Sequence, residues 1–254
     1  MRIATWNVNS LRVRLPHLLD WLAIHSPDAI CLQETKCEDA NFPAQELGAA
    51  GYSSVHHGQR TYNGVAILSR NPSSGVLRGI PGFTDEQSRV IAADVDGVRL
   101  VSVYVPNGQS VGSDKYAYKL RWFAALASWL EAEMATHARL AVLGDFNVAP
   151  EDRDVHDPVA WAGQVLFSEL EKAALRGVID LGLADSFRLF EQPEKSFTWW
   201  DYRMNAFKRK MGLRIDHVLL SPELASACKS CAIDVAPRAL ERPSDHAPVV
   251  CEVA

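Results

Sequence analysis

Near the end of the chain, Pro243-Ser244-Asp245-His246-Ala247-Pro248 sets an acid and a histidine side by side. The prolines on either side fix the backbone and disfavour helix. A histidine close to carboxylates holds a proton around neutral pH. An Asp-His dipeptide is common on surface loops, so its meaning depends on partners elsewhere. Polar residues that follow short apolar runs supply them: Asn7 and Asn9, Glu34, Tyr104 and Asn107, and Asp145 with Asn147. Each has an ordinary reading. Asn7 and Asn9 suit turns, Glu34 a helix cap, Asp145 an Asx-turn and Tyr104 a core rim. Asp216 is harder to dismiss. It lies inside the apolar run Leu213 to Leu220, where an unpaired carboxylate costs several kcal/mol.

Taken together these groups suit phosphate-ester chemistry. Magnesium takes hard oxygen ligands, keeps several waters and uses one or two carboxylates. Glu34, helped by Asn7 or Asp245, fits that pattern, and Mn²⁺ can take the place of Mg²⁺ there. Attack on a phosphodiester also needs an oriented water and a positive group near the developing charge. Asp145 and Asn147 are placed to hold the water, and His246 backed by Asp216 to stabilise the phosphate. The expectation is a magnesium-dependent phosphodiesterase. No Gly-x-x-x-x-Gly-Lys loop and no Rossmann glycine set occurs, which argues against P-loop chemistry.

Rigid elements must position these groups. Ile3 to Asn9 alternates as a strand, with Ile3 and Thr5 on one face and Ala4 and Trp6 on the other. Leu11, Leu15, Leu18, Leu19 and Leu22 recur at helical spacing, and Pro27 stops the run. Ala29 to Leu32 and Gly64 to Ser69 read as buried strands. Arg89 to Asp96 and Val98 to Val105 read as a hairpin across Asp96-Gly97. Residues 115 to 136 carry a helix with Leu120, Phe123, Ala124 and Leu130 inward. Leu140 to Asn147 repeats the opening scheme of an apolar strand ending in Asn. Phe167 to Gly177 reads as a helix, and Leu213 to Leu220 and Val249 to Val253 as strands. The architecture expected is two packed sheets with helices outside, in one domain spanning residues 1–254.

The bulk numbers agree. At 254 residues with 48% hydrophobic and 22% charged side chains, the chain can bury a large core without disulfides. No apolar run suits a bilayer crossing, and the opening residues lack signal-peptide architecture, so a cytoplasmic protein with no membrane partner is expected. Five cysteines, with one Cys-x-x-Cys at Cys228 and Cys231 and no second pair, read as reduced thiols rather than a zinc site. The net charge of -5 argues against a protein that coats nucleic acid, but not against local basic patches. One such patch is expected from Arg203, Lys208, Arg209, Lys210 and Arg214, with Lys36, Arg60, Lys115, Lys119 and Arg121 beside other motif loops.

In their local contexts these residues resemble the exonuclease III family of apurinic/apyrimidinic (AP) DNA-repair endonucleases, its bacterial branch above all. The matching blocks are Trp6 to Arg12, Leu32 to Lys36, Asn63 to Ser69, Tyr104 to Gly108, Gly144 to Pro150, Phe197 to Arg203, Gly212 to Asp216 and Pro243 to Pro248. The resemblance implies a four-layer α/β sandwich, two mixed β-sheets flanked by helices. It implies cleavage 5′ to abasic sites leaving a 3′-hydroxyl, 3′→5′ exonuclease action on duplex DNA, and removal of 3′-blocking phosphates. A monomer acting on double-stranded DNA with abasic sites or blocked 3′ ends is expected. By position, Glu34 matches the metal ligand, with Asn7 and Asp245 nearby. Asp145 matches the residue that aligns or deprotonates the water, supported by Asn147. His246 matches the phosphate-contacting histidine, Asp216 its orienting carboxylate and Tyr104 the phosphate-side tyrosine. Asn107 and Arg203 fall to the substrate side. Trp199, Leu213 and Ile215 match a pocket for a flipped abasic sugar, which is cheap to extrude because no base is unstacked. Ser10 stands where glycine is expected, at a strain cost if that turn needs positive φ. Two rivals are weaker. A lipid or inositol phosphodiesterase lacks support in the Trp199 to Arg214 block, and a silent DNA-binding module would have lost some of the site residues.

Overall fold

The computed structural model describes residues Met1–Ala254. The first half supplies β1 (Arg2–Asn7), α1 (Leu11–His25), β2 (Ala29–Gln33), α2 (Ala44–Ala49), β3 (Ser53–His57), β4 (Val65–Ser69), β5 (Ser74–Arg78), β6 (Val90–Val95) and β7 (Val98–Tyr104). Then follow α3 (Asp114–Thr136), β8 (Leu140–Asp145), α4 (Pro158–Trp161), α5 (Glu169–Ile179), β9 (Ala184–Asp185), β10 (Asp216–Leu220), α6 (Pro222–Ala227), β11 (Cys228–Ile233) and β12 (Val249–Val253). The strands form two six-stranded sheets, ordered β11-β12-β1-β2-β4-β3 and β5-β6-β7-β8-β10-β9.

The alternation in β1 explains the layering. Ile3 enters a core between the sheets, with Cys31, Ile67, Ile91, Leu100, Leu143 and Val218. Ala4 and Trp6 face the other way, into a core shared with Leu11, Leu18 and Leu22 of α1. On the far side of the second sheet, Val101 and Val142 pack on Trp122, Phe123 and Leu126 of α3 and Leu175 of α5. The result is helix, sheet, sheet, helix, the expected four-layer α/β sandwich.

The likeness of Ile3–Asn9 to Leu140–Asn147 has a structural counterpart. β1 lies between antiparallel β12 and parallel β2, and β2 is followed by antiparallel β4. β8 lies between antiparallel β10 and parallel β7, and β7 is followed by antiparallel β6. Each half therefore places its Asn-terminated strand at the same position in its own sheet. Gly144 is required at the end of β8 by close approach, since a Cβ there would lie 1.9 Å from the Val103 carbonyl oxygen. The hairpin turn also forms as read: Asp96 and Gly97 take φ of 51° and 78°, the paired left-handed conformation of a two-residue turn.

Four readings change. Ala124 of α3 is exposed, because the buried stripe runs through Lys119, Trp122, Phe123, Leu126 and Leu130. The run Leu213 to Leu220 is strand only from Asp216, because the Thr198 hydroxyl takes the Ile215 and Asp216 N–H groups at 3.0 and 3.1 Å. Leu213 makes only isolated bridges, to Val155 and Trp199. The helix read from Phe167 begins at Glu169, because Ser168 and Glu171 form a capping box there. Lys119 and Arg214 are not surface cations. Lys119 is fully buried on Glu171, and Arg214 is buried between Asp154 and Asp185. The edge strands β3, β5 and β11 escaped the sequence reading because they are partly exposed and lack a continuous apolar pattern.

Candidate active site

Strand direction gathers the polar residues. β1 and β2 are parallel, as are β7 and β8, so Asn7, Glu34, Tyr104 and Asp145 leave at the carboxyl ends of their strands. β10 and β12 run the other way beside β8 and β1, so Asp216 and His246 sit at amino ends on the same edge. Asp216 is the register partner of Asp145, and Tyr104 flanks Asp145 from the other side. The closing segment is tied down by the Ser244 hydroxyl donating to the Asn7 carbonyl at 2.6 Å and Trp6 Nε1 donating to the His246 carbonyl at 3.2 Å. Ala247 N donates to the Thr198 carbonyl at 2.7 Å, fixing the motif from its other side.

Asp145 is held through both oxygens. Oδ1 accepts from the Asn147 backbone N–H at 2.9 Å and Oδ2 from Asn7 Nδ2 at 2.9 Å. The first contact is an Asx-turn, so the ordinary and functional readings of Asp145 describe one structure. Asn9 N donating to Asn7 Oδ1 at 3.0 Å and Gln109 N donating to Asn107 Oδ1 at 3.1 Å repeat the device. Burial raises the Asp145 carboxyl to about 7, with the Asp216 charge adding to the rise and His246 opposing it. His246 is also buried, which works against its charge, but the Asp216 and Asp145 carboxylates outweigh that and raise it to about 10. Its Nδ1–H donates to Asp216 Oδ2 at 2.8 Å, and its Nε2 faces Asp145 Oδ2 at 3.7 Å. Burial, with Glu34 and Asp145 nearby, holds the Tyr104 hydroxyl protonated far above its ordinary range.

Glu34, Asp145 and His246 bring ligand-type atoms within 4.8 Å of one another. Asn7 Nδ2 donates to Glu34 Oε1 at 2.9 Å as well as to Asp145, so this amide bridges the two carboxylates. Lys36 Nζ lies 2.8 Å from Glu34 Oε2 and 2.5 Å from Asn9 Oδ1. Asp245 is one step further out, accepting from Asn9 Nδ2 at 2.8 Å and from Trp199 Nε1 at 3.0 Å. The two hard carboxylates are donors that suit a divalent cation, which would take over the place the Lys36 ammonium holds on Glu34.

On the substrate side, Asn107 Nδ2 donates to Asn147 Oδ1 at 3.3 Å. Arg203 projects into solvent, paired with Asp201 at 2.7 Å, and Lys208, Arg209 and Lys210 beside it are exposed. Trp199 is half-buried over Leu213 and Ile215, which are closed from solvent with Val155, Phe167 and Leu166. Leu166 holds φ of 76°, an unusual conformation for a buried leucine.

Several contributors escaped sequence reading. Lys36 lies in the Leu32 to Lys36 block, where its sequence context shows only a charge beside a motif loop and not its contacts with Glu34 and Asn9. Thr198 shows its role only when its hydroxyl meets the Ile215 and Asp216 amides. His217 needs the fold as well. Arg214 Nη1 can only donate to its Nδ1, 3.0 Å away, so Nε2 carries the proton and donates to the Val148 carbonyl at 2.9 Å. Burial and Arg214 hold His217 neutral.

Two sheets packed face to face, with an acid–histidine cluster on one shared edge, define an α/β-sandwich hydrolase. The same sandwich occurs in a 3′ phosphatase, NExo, from Neisseria bound to a product DNA hairpin. It matches with a TM-score of 0.98 and 48% identity over 100% of this chain and 99% of that one. The chain belongs to the Endonuclease/Exonuclease/phosphatase family, whose model matches residues 4–246. It is 36% identical to exodeoxyribonuclease III of Haemophilus influenzae over 99% of both chains. An AP endonuclease from Archaeoglobus fulgidus superposes with a TM-score of 0.97 at 38% identity, over 100% of this chain and 99% of that one.

Proposed function

We propose that the protein is a Mg²⁺-dependent DNA-repair phosphodiesterase. It cleaves 5′ to abasic sites and removes nucleotides and phosphates from 3′ ends of duplex DNA, as a monomeric single domain in the cytoplasm. The carrying observation is the line Asp216–His246–Asp145. One carboxylate orients a charged histidine toward a second carboxylate whose two oxygens are already fixed. Glu34, with Asn7 beside it and Asp245 behind Asn9, would hold the cation, leaving Asp145 on the water side. Bound there, the cation would supply Lewis-acid stabilisation of the phosphate oxygens.

The side chains perform the remaining work. Asp145, its pKa raised to about 7, suits a base that aligns a water and takes its proton near neutral pH. His246 keeps a proton on Nε2 and offers it to a phosphate oxygen, while Asp216 fixes the ring. Tyr104 stays protonated and donates to the phosphate from the other side. Asn7 and the Asn147 N–H hold Asp145 still, so little reorganisation is needed as charge develops. Arg203 and its basic neighbours bind backbone phosphates, and the half-buried Trp199 meets the sugar, with Leu213 and Ile215 packed closed behind it.

A duplex oligonucleotide carrying either a central abasic analogue or a 3′-phosphate, incubated with Mg²⁺ or EDTA, tests the reading. Metal-dependent nicking or phosphate release supports it. Absence of cleavage on both substrates with Mg²⁺ refutes it.

A further inference from the structure

Lys119 is the one lysine of α3 with no contact with solvent. Its ammonium donates to the Asn147 carbonyl at 2.7 Å, the Asn107 carbonyl at 3.1 Å and Glu171 Oε1 at 2.5 Å, which uses all three of its N–H groups. Glu171 is satisfied besides this by the Leu166 N–H at 3.0 Å and the Ser168 N–H at 3.2 Å. Burial lowers the Lys119 pKa, and Glu171 works against that fall.

The position of this charge matters because of what it grips. Asn147 sits at φ 51°, in the left-handed region, and this conformation aims its N–H at Asp145 Oδ1. Its side chain is held too, with Nδ2 donating to the Val105 carbonyl at 2.9 Å. The peptide after Asn147 is fixed from beneath at two successive carbonyls, Asn147 by Lys119 and Val148 by His217. With the Lys119 donor removed, the buried Asn147 carbonyl lacks its partner, and the peptide gains by rotating away from the left-handed conformation. The left-handed φ locks the peptides before and after Asn147 to one another, so freeing the second lets the first, with the Asn147 N–H, move off Asp145. Lys119 also holds the Asn107 carbonyl, so the two turns that flank the reacting phosphate share one anchor.

We propose that Lys119 is a positioning residue, which sets the Asp145–Asn147 and Asn107 turns by gripping their carbonyls from the helix beneath; this rests on the function proposed above. The competing role is simpler, a buried ion pair that only ties α3 to α5. Three variants of the full-length protein separate the two: Lys119→Met, Glu171→Gln, and both together. Each is assayed with Mg²⁺ on a duplex bearing a 3′-phosphate. An amine that has lost its charge partner still offers two N–H donors to two carbonyls, so Glu171→Gln should lower Tm while keeping kcat within about twofold. Lys119→Met should lower kcat on the order of 10–100-fold with KM within about twofold, since the exposed phosphate contacts are untouched. The double variant removes the unpaired charge, so Tm should recover in part while kcat stays low. Recovery of kcat together with Tm overturns the proposal, as does a kcat loss in Glu171→Gln equal to that of Lys119→Met. Amide exchange reads the same turn without turnover. The Asn147 N–H should lose protection in the double variant and keep it in Glu171→Gln, and protection retained in both overturns the proposal even if no DNA substrate is cleaved.

Discussion

Replacing Asp216 by Asn isolates the charge that sustains His246. The change is nearly isosteric, and the amide oxygen can still accept from Nδ1, so ring orientation survives while the negative charge goes. The contact is 2.8 Å between two buried groups. At an effective dielectric near 20, a pair this close interacts by about 4–6 kcal/mol before desolvation is counted. A net loss of about 3–4 kcal/mol corresponds to roughly two to three pKa units at 1.36 kcal/mol each. His246, raised to about 10 in the parent, should therefore titrate at about 7–8 in the variant. If its charge stabilises the developing phosphate charge, kcat measured near pH 9, where the parent ring is still charged and the variant's is not, should fall by about 10²–10³-fold, the usual effect of losing one such donor. NMR titration of the His246 ring gives the pKa, and steady-state cleavage at saturating Mg²⁺ gives kcat. A variant whose His246 stays charged above pH 9 would refute the electrostatic reasoning. One with neutral His246 and unchanged kcat would remove the histidine charge from the mechanism. The sign for stability follows from the same shift. A histidine raised above its ordinary 6.5 contributes fully below that pH, and its contribution is lost as pH rises toward 10. Parent stability should fall across this window, and Asp216→Asn should flatten that fall in thermal melts.

The remaining predictions concern the neighbouring groups. Asp145→Asn should abolish turnover yet leave DNA affinity within about a factor of three, since the change removes only a buried charge on the water side; fluorescence anisotropy checks the binding, and normal turnover would exclude Asp145. Glu34→Ala should raise the Mg²⁺ concentration needed for half-maximal activity by about tenfold or more, and calorimetric Mg²⁺ titration of the free protein should show the same weakening. Ser10 adopts φ 90° after Asn9 at 42°, so Ser10→Gly should relieve about 1 kcal/mol of strain and raise Tm by roughly 2–4 °C; an unchanged or lower Tm would show that the turn carries no such cost. Activity should fall steeply between low and high salt because Arg203, Lys208, Arg209 and Lys210 are exposed for phosphate contacts, and a flat salt profile would exclude that role.

The sequence by itself determined the strand that each chemical group terminates. Apolar runs such as Ala29–Leu32 and Leu140–Leu143 are local, their side chains are all buried, and polar residues at their ends read directly as strand-end groups. It also exposed Asp216 as a carboxylate that needed a partner, because burial cost is a property of the local apolar run. Pairings lay beyond it. Whether Asp216 or adjacent Asp245 orients His246 depends on how the two sheets pack, since β10 and the segment leading into β12 belong to different sheets and meet across 30 residues of chain. The structure gives the ring to Asp216 and turns Asp245 to Asn9 and Trp199. Lys119 and Arg214 show the limit most clearly. Their chemistry is that of surface cations, and only the packing of α3 on α5, and of Asp154 and Asp185 around the start of β10, makes them interior anchors. A charge has no fixed location in a linear sequence; its location is decided by which distant carboxylates and carbonyls can surround it once water is excluded.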